Sequence, residues 1–231
     1  MPSDRLLRIL SRFRADADKH AGPARICDVS ADVLAMSGAG IMLMSADVRR
    51  GSVCSSNDVS ALIEELQYSL GEGPCVDAYF MDRPVLEPDL AEPAEHRWVA
   101  FSPPAVAAGA RAIFGFPMQV GAVRLGALNV YRDERGALTD DQHADALVLA
   151  GVAARAVLAM QAEAPPGALA SELEAGSSFH FVVHQAAGMV AAQLDVPITE
   201  ALIRLRGYAF AEGRLLTEVA EDVVARRLRL Q

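Results

Sequence analysis

Three cysteines, and two of the five histidines, have the residue type or spacing that thiol or metal chemistry would need. Cys27, Cys54 and Cys75 are widely spaced, odd in number and without a CxxC pair, so the sequence predicts neither a zinc site nor a disulfide framework. His180 and His184 stand four residues apart on a predicted helix, which is the spacing of a zinc pair, but no third ligand lies at a fitting position on that helix. We therefore expect no metal, no cofactor and no catalytic residue.

Cys75 allows two interpretations. It follows a tight turn, Gly71-Glu72-Gly73-Pro74, that predicts a helix beginning at Pro74, and a helix N-terminus lowers the pKa of a thiol. The alternative, which we favour, is a small buried core cysteine.

Charge and composition restrict the classes of function. The 231 residues carry a net charge of -9, and residues 165–231 hold six arginines against eight acidic residues. This charge disfavours nonspecific binding to nucleic acid. The same charge is compatible with a specific nucleic-acid contact made by a few arginines. No apolar run reaches the roughly 18 residues of a membrane helix, since Arg155 interrupts Ala146 to Ala162. The N-terminus lacks the apolar core of a signal peptide, and the cysteines suggest no disulfide framework, so we expect a cytoplasmic, reducing location with no membrane contact.

Helical and strand-like patterns alternate over residues 1–163, which is typical of an α+β domain. The strongest local signal is a hairpin with arms Ala112 to Val120 and Val123 to Tyr131. Thr139 and Gln142 fit a capping box that opens a long helix, which Pro165-Pro166 stops. The other predicted helices are 3–18, 28–36, 58–69 and 98–108, and the other predicted strands are 40–45, 51–55 and 84–86.

The pattern after residue 177 is purely helical. Pro197 and Gly213 divide it into three helices, and Thr199 and Thr217 are the predicted N-caps of the second and third. We predict a sensor domain with its N-terminal helix over residues 1–163, a linker over 164–177 and a three-helix output domain over 178–231.

An ordered series of short motifs across about residues 20–163 resembles a GAF domain of the bacterial regulatory type. The series is Leu70-Gly71-Glu72-Gly73-Pro74-Cys75, Arg83-Pro84-Val85, Trp98 with Phe101, Gly109 to Met118, and Leu125 to Tyr131. The resemblance implies a central antiparallel sheet flanked by helices, with a pocket on one sheet face that often holds a small ligand. The candidate pocket residues are Cys75, Trp98, Phe101, Phe114 and Gly126. Ordinary core packing is the alternative for the three aromatic residues.

Some proteins of this fold resemble methionine sulfoxide reductases that use pocket cysteines. Cys54 and Cys75 are the pair such an enzyme would need here, but their spacing does not match that subfamily. We therefore expect a protein that is not an enzyme.

The C-terminal segment is similar to an ANTAR domain along about 50 residues. The match runs from His184-Gln185-Ala186-Ala187-Gly188 through Ile198 to Arg206 and on to Gly213 to Val224. This resemblance implies recognition of paired hairpins in nascent RNA, which prevents formation of a terminator, by a dimeric protein. The residues assigned to RNA binding are His184, Gln185, Gly188, Arg204, Arg206, Tyr208 and Arg214.

Ala187 departs from this family, which usually has a basic residue there, and the loss of one phosphate contact predicts RNA affinity that is weaker or differently distributed. The leading hypothesis is a homodimeric, signal-responsive antitermination regulator whose sensor domain reads an unidentified small ligand or partner. The alternative is a ligand- or protein-sensing dimer whose helical tail docks or dimerises without RNA. A solvated face with arginines paired to Glu200 and Glu212 is the structural alternative for the basic residues.

Overall fold

A computed structural model describes residues 2–15, 24–44, 49–93, 95, 97–163 and 178–230. The chain divides into two compact units, Met1–Pro166 and Gly167–Gln231. The predicted linker, 164–177, lies outside the described residues.

The first unit is built on one antiparallel sheet with the strand order β2-β1-β5-β4-β3. Its strands are β1 (Gly38–Met44), β2 (Arg49–Ser55), β3 (Val85–Glu87), β4 (Ala112–Val120) and β5 (Val123–Arg132). The predicted hairpin is confirmed, because β4 pairs with β5 across the two-residue turn between Val120 and Val123, with one register shift between Met118 and Gln119. β5 is the central strand and pairs with β1 on its other side.

Six helices flank this sheet in the described part of the first unit. They are α1 (Pro2–Ala15), α2 (Ala24–Leu34), α3 (Asp58–Leu70), α4 (Pro74–Met81), α5 (Ser102–Ala107) and α6 (Asp140–Glu163). The helix predicted from residue 98 begins only at Ser102, where two prolines occupy the first turn and need no intrahelical donor. The helix predicted from residue 28 begins at Ala24, because Ile26 and Cys27 already face the core.

Side-chain caps fix the first turns of two helices, α3 and α6. At α3 the Asn57 side chain accepts from the backbone of Ser60, and the Ser60 hydroxyl accepts from the backbone of Asn57. The predicted capping box of α6 is confirmed. Gln142 donates its backbone N–H to Thr139 Oγ1 at 3.2 Å, and Thr139 donates its own to Gln142 Oε1 at 3.0 Å.

The long helix α6 packs into the first unit along one row and is tied to α1 by ion pairs. Arg5 and Arg8 of α1 both contact the buried carboxylate of Asp145 at 2.6 Å. Residues Asp140–Met160 have the length and apolar composition of a membrane-crossing helix. Their buried row is Ala146, Leu149, Ala150, Ala153, Ala154 and Val157.

The second unit is a set of three mutually packed helices: α7 (Ser178–Leu194), α8 (Ile198–Ala211) and α9 (Leu216–Val224). The chain bends by 106° between α7 and α8. The breaks predicted at Pro197 and Gly213 are confirmed, and Gly213 has a φ of 61°, a conformation that glycine adopts without strain. The core is formed by Val183, Ala186, Ala187, Val190, Ala201, Leu202, Leu205, Ala209, Leu216, Val219, Ala220 and Val223.

The two threonine caps predicted for this unit are wrong. Pro197 and Leu215 are the N-cap residues, and neither provides a side-chain cap. Thr199 and Thr217 each lie two residues after the N-cap, at the second position of the helix. Thr217 is buried, so its side chain packs into the core instead of capping the helix.

Candidate functional site

The predicted aromatic pocket residues are all buried, and the structure brings two of them into contact. Trp98 and Phe101 pack edge to face with ring centroids 6.2 Å apart. The Trp98 indole donates a 3.0 Å hydrogen bond to Asp77 of α4. Phe114 lies in β4, where the guanidinium of Arg132 lies 5.9 Å from its ring.

A carboxylate joins the tryptophan segment to the turn between α3 and α4. Glu72, the central residue of the Gly71-Glu72-Gly73 turn, accepts hydrogen bonds from the backbone N–H groups of Ala100 and Phe101 at 2.6 and 2.8 Å. This motif of the sequence therefore fixes the segment that leads into α5.

Gly126, one of the candidate pocket residues, is required by the pairing of two strands. A Cβ at this position would collide with the backbone carbonyl oxygen of Met42 in β1. The close approach is therefore that of a neighbouring strand, and Gly126 serves the pairing of β1 with β5.

The three cysteines are arranged differently from the prediction. Cys27 of α2 and Cys54 of β2 form a disulfide with their Cα atoms 6.1 Å apart, although the sequence spacing suggested no bridge. The packing of α2 against β1 and β2 creates this proximity, and spacing along the chain does not reveal it. The Cys54–Cys75 pair considered for a reductase is not the pair that forms. Cys75 lies at the start of α4, is fully buried and stands outside any disulfide.

A cluster of three buried polar side chains, which sequence reasoning missed, lies where α3 and α4 meet the sheet. Glu64 and Gln67 project from α3, and Asn129 projects from β5; we call them the polar cluster. Asn129 Nδ2 donates a 2.7 Å hydrogen bond to Glu64 Oε1, and Gln67 Oε1 accepts a 2.8 Å hydrogen bond from the backbone N–H of Cys75. The only sequence signal was polar residues interrupting apolar patterns, namely Asn129 within a strand and the Glu64–Gln67 pair, three apart on a helix.

The electrostatics of the polar cluster favour neutral groups. Burial raises the pKa of the Glu64 carboxyl to about 8, against which the hydrogen bond from Asn129 acts only in part. Glu64 is therefore protonated at neutral pH.

Two glycines make room for this arrangement on either side of Asn129. Gly40 of β1 and Gly115 of β4 are its direct partners across the sheet. A Cβ at Gly40 would lie 2.6 Å from Glu64 Oε1, and one at Gly115 would lie 2.5 Å from the carbonyl oxygen of Pro74. The two glycines thus allow the Glu64 side chain and the start of α4 to contact the sheet directly.

In the second unit, the candidate RNA-binding residues differ in exposure. His184, Gln185 and Arg204 are exposed. Gly188, Arg206, Tyr208 and Arg214 are half-buried.

Ion pairs hold two of these arginines. Arg204 pairs with Glu200 at 2.7 Å on the surface of α8. Arg214 pairs with Asp222 at 2.7 Å, not with the expected Glu212, and approaches Glu218 at 3.6 Å. Hydrogen bonds from Arg214 and Arg227 lower the pKa of Asp222.

Ala187, the position where the ANTAR-like motif lacks its basic residue, is fully buried in the core of the second unit. A long charged side chain there would displace core packing between the helices. Alanine at 187 is therefore part of the packing of this three-helix unit.

Among the described residues, no group of three His, Cys, Asp or Glu side chains lies close enough together to hold a metal ion. The side chain of His180, one member of the zinc-pair spacing, lies outside the described part of the chain.

Residues 24–158 match the family model described as GAF domain. The match spans more than half of the chain, and the chain belongs to the GAF domain family. Membership of this family suggests ligand or signal sensing by the first unit.

Solved structures with this fold include two GAF domains. One is the GAF domain from a phosphoenolpyruvate-protein phosphotransferase of Coxiella burnetii, at 15% identity and a TM-score of 0.51, covering 69% of this chain and 96% of that one. The other is the GAF domain from the Acinetobacter phosphoenolpyruvate-protein phosphotransferase, at 14% identity and a TM-score of 0.50, covering 70% and 96%. No curated protein sequence matches the chain.

Proposed function

We propose that this protein is a signal-responsive antitermination regulator in which the GAF domain senses a small ligand or partner and the second unit binds paired hairpins in nascent RNA. The observation that carries the proposal is the agreement between the ANTAR-like motif and three packed helices that break at Pro197 and Gly213. Within it, the motif residues His184 and Gln185 lie on the surface of α7.

Arg204 is the basic residue of this unit best suited to an RNA contact. Its ion pair with Glu200 joins two half-exposed side chains, and exposed pairs of this kind contribute only about 0–1 kcal/mol. Arg204 can therefore leave Glu200 and pair with an RNA phosphate at little cost in free energy. A guanidinium can both pair with phosphate and stack on an unpaired base.

The burial of Ala187 changes the expectation about affinity. Because this position faces the core, any phosphate contact of the proposed RNA site must come from other residues, and Arg204, Arg206 and Arg214 are the candidates on or just after α8. Few contacts predict a modest salt slope.

The proposed regulator is a homodimer located in the cytoplasm. Leu7 of α1 and Leu147 of α6 are exposed apolar side chains that a second copy of the chain would cover, which supports a homodimer. The proposal makes the protein a cytoplasmic regulator with no catalytic activity of its own.

The test is a fluorescence anisotropy titration of the full chain against an RNA with two adjacent hairpins, at low and at physiological salt. A single-stranded RNA of the same composition is the control. Preferential, salt-dependent binding of the two-hairpin RNA supports the proposal. No binding to it at low salt removes the RNA function.

A second candidate function is that the helical unit docks a partner or dimerises without RNA. Ile203 and Phe210 are seven residues apart on α8, share one face, and are 66% and 63% exposed. A variant carrying Ile203→Ser and Phe210→Ser would then lose self-association in analytical ultracentrifugation. Under the RNA proposal, this variant would still self-associate, and its binding to the two-hairpin RNA would be measured instead.

A further inference from the structure

Three of the six arginines in residues 165–231 stand within four consecutive positions after the end of α9. They are Arg226, Arg227 and Arg229, which we call the arginine turn. All three are exposed, and the stretch 225–230 contains no acidic residue. An exposed group of like charges attracts a partner of the opposite charge.

Backbone hydrogen bonds tie the arginine turn to α9. The N–H groups of Arg226, Arg227 and Leu228 donate to carbonyl oxygens of the helix at 3.0, 2.8 and 3.1 Å. Arg226 has a φ of 60°, the left-handed conformation that commonly follows the C-terminus of a helix. The side chains therefore project from a fixed backbone, and binding through them orders less of the chain than binding through a free tail.

Ion pairing leaves much of this charge available. Asp222 accepts hydrogen bonds from Arg214 and Arg227 at 2.7 Å each, so two guanidinium groups share one carboxylate. Among the described residues, no acidic side chain forms an ion pair with Arg226 or Arg229. Residues 214–230 hold four arginines and three acidic residues, and the surplus of positive charge lies at the arginine turn.

Arg214 connects the arginine turn to the RNA-binding surface proposed above. It is one of the residues assigned to RNA binding, and it contacts the same carboxylate as Arg227. An RNA backbone that contacts Arg214 is therefore within reach of Arg227.

Stabilisation of the helix explains only part of the arginine turn. Cations favour the C-terminal end of a helix, but this effect falls off within the last turn. Arg226 and Arg227 directly follow the end of α9, whereas Arg229 is five residues beyond Val224. Arg229 is therefore the position at which a role in binding and a role in helix stability differ.

Phosphate fits these side chains, because a guanidinium presents a planar fork of N–H donors that matches phosphate oxygens. We infer, on the footing of the RNA function proposed above, that Arg226, Arg227 and Arg229 extend the RNA site as a phosphate-binding surface joined to Arg214 through Asp222. Contacts with phosphate add affinity without sequence preference. The surface thus supplies phosphate contacts to a site that lacks one at Ala187.

The test is an anisotropy titration of the full chain with the two-hairpin RNA over a series of salt concentrations. The arginine-turn variant carries Arg226→Ala, Arg227→Ala and Arg229→Ala. We expect its salt slope to be lower than that of the wild type by about 2–3, and its affinity at physiological salt to be lower about tenfold or more.

The matched control removes the same charge from the first unit. It carries Arg83→Ala, Arg135→Ala and Arg155→Ala, three exposed positions, and should bind as the wild type does. Equal salt slopes in the wild type and a folded arginine-turn variant, or an equal loss in the control, overturn the inference and leave the RNA function standing. No binding by the wild type at low salt removes both.

A parallel titration with phosphatidylserine vesicles distinguishes RNA from a membrane surface. Vesicle binding that is lost in the arginine-turn variant, without a change in RNA binding, would assign the turn to a membrane and overturn the inference.

A single variant separates binding from folding. Arg229→Ala leaves the ion pairs of Asp222 and the last turn of α9 intact, so it should keep the urea midpoint of the wild type. We expect it to lower the salt slope by about 0.7–0.9, the value of one phosphate contact. An unchanged slope with Arg229→Ala contradicts the place of this residue in the site.

Discussion

The side-chain amide of Asn129 in the central strand β5 donates a 2.7 Å hydrogen bond to Glu64 Oε1 of α3. Gly40 is the partner of Asn129 on β1, and because it has no side chain, Glu64 packs directly against it. A neutral carboxyl is thereby packed between a helix and the middle of the sheet, in the domain whose family suggests signal sensing.

Glu64 should make the stability of the first unit depend on pH. The pKa of this carboxyl is about 8 in the folded protein and about 4.3 in an unfolded chain. Between these values the unfolded state releases the proton and the folded state keeps it, so the free energy of unfolding falls as the pH rises. The slope reaches at most about 1.4 kcal/mol per pH unit and disappears above pH 8. Urea denaturation between pH 5.5 and pH 9 measures it.

Glu64→Gln should flatten this pH dependence, because the amide does not ionise. Glu65→Gln, a change at a half-exposed glutamate on the same helix, should leave the profile of the wild type unchanged. Identical profiles for wild type and Glu64→Gln would show that Glu64 does not titrate as described.

Gly126 should tolerate no side chain. Gly126→Ala places a methyl group against the carbonyl of Met42, and two paired strands must separate to relieve the clash. We expect a loss of about 3 kcal/mol in the free energy of unfolding. Gly151→Ala in α6, where the nearest atom to a new Cβ is 3.8 Å away, is the control and should be neutral or slightly stabilising. Similar stability of both variants would refute the close approach at Gly126.

Several features were predictable because they depend on local chemistry. The β4–β5 hairpin follows from a two-residue turn between apolar arms, and the Thr139–Gln142 capping box follows from residues three apart at a helix start. Pro197 and Gly213 end helices through their own backbone restrictions.

The features that were missed depend on contacts between distant parts of the chain. Cys27 meets Cys54 only because α2 packs on the sheet, and spacing alone does not contain that information. Glu64 reaches Asn129 across 65 positions of sequence. Gly126 is a pocket candidate from the sequence, whereas in the structure the group that approaches it closely is the neighbouring strand. Thr217 matched a cap by residue type, whereas tertiary packing buries it.

The Cys27–Cys54 disulfide should stabilise the first unit. It closes a loop with a sequence separation of 27, which in the chain-entropy description contributes about 3.5 kcal/mol. A reducing agent should therefore lower the urea midpoint of the wild type and leave that of Cys27→Ala unchanged. An equal response of the two proteins would mean that the bridge is absent from the folded chain in solution.

Glu200 should restrain RNA binding by holding Arg204. Glu200→Gln breaks the 2.7 Å ion pair and removes one acidic charge from α8. We expect RNA affinity to rise about two- to fivefold, in line with the small free energy of exposed pairs. Glu92→Gln, the same change at an exposed site in the first unit, should have no such effect. A rise of the same size in both variants would indicate a general charge effect.

The most direct measurement of the antitermination account is the anisotropy titration of the full chain with two-hairpin RNA, run in parallel on three proteins. They are the wild type, a double variant carrying Arg204→Ala and Arg206→Ala, and Arg155→Ala as a control arginine exposed on α6. The account predicts salt-dependent binding by the wild type and Arg155→Ala, with loss of affinity and a salt slope lower by about 1.5 in the double variant. No binding by the wild type at low salt, or equal affinity of all three proteins, would contradict it.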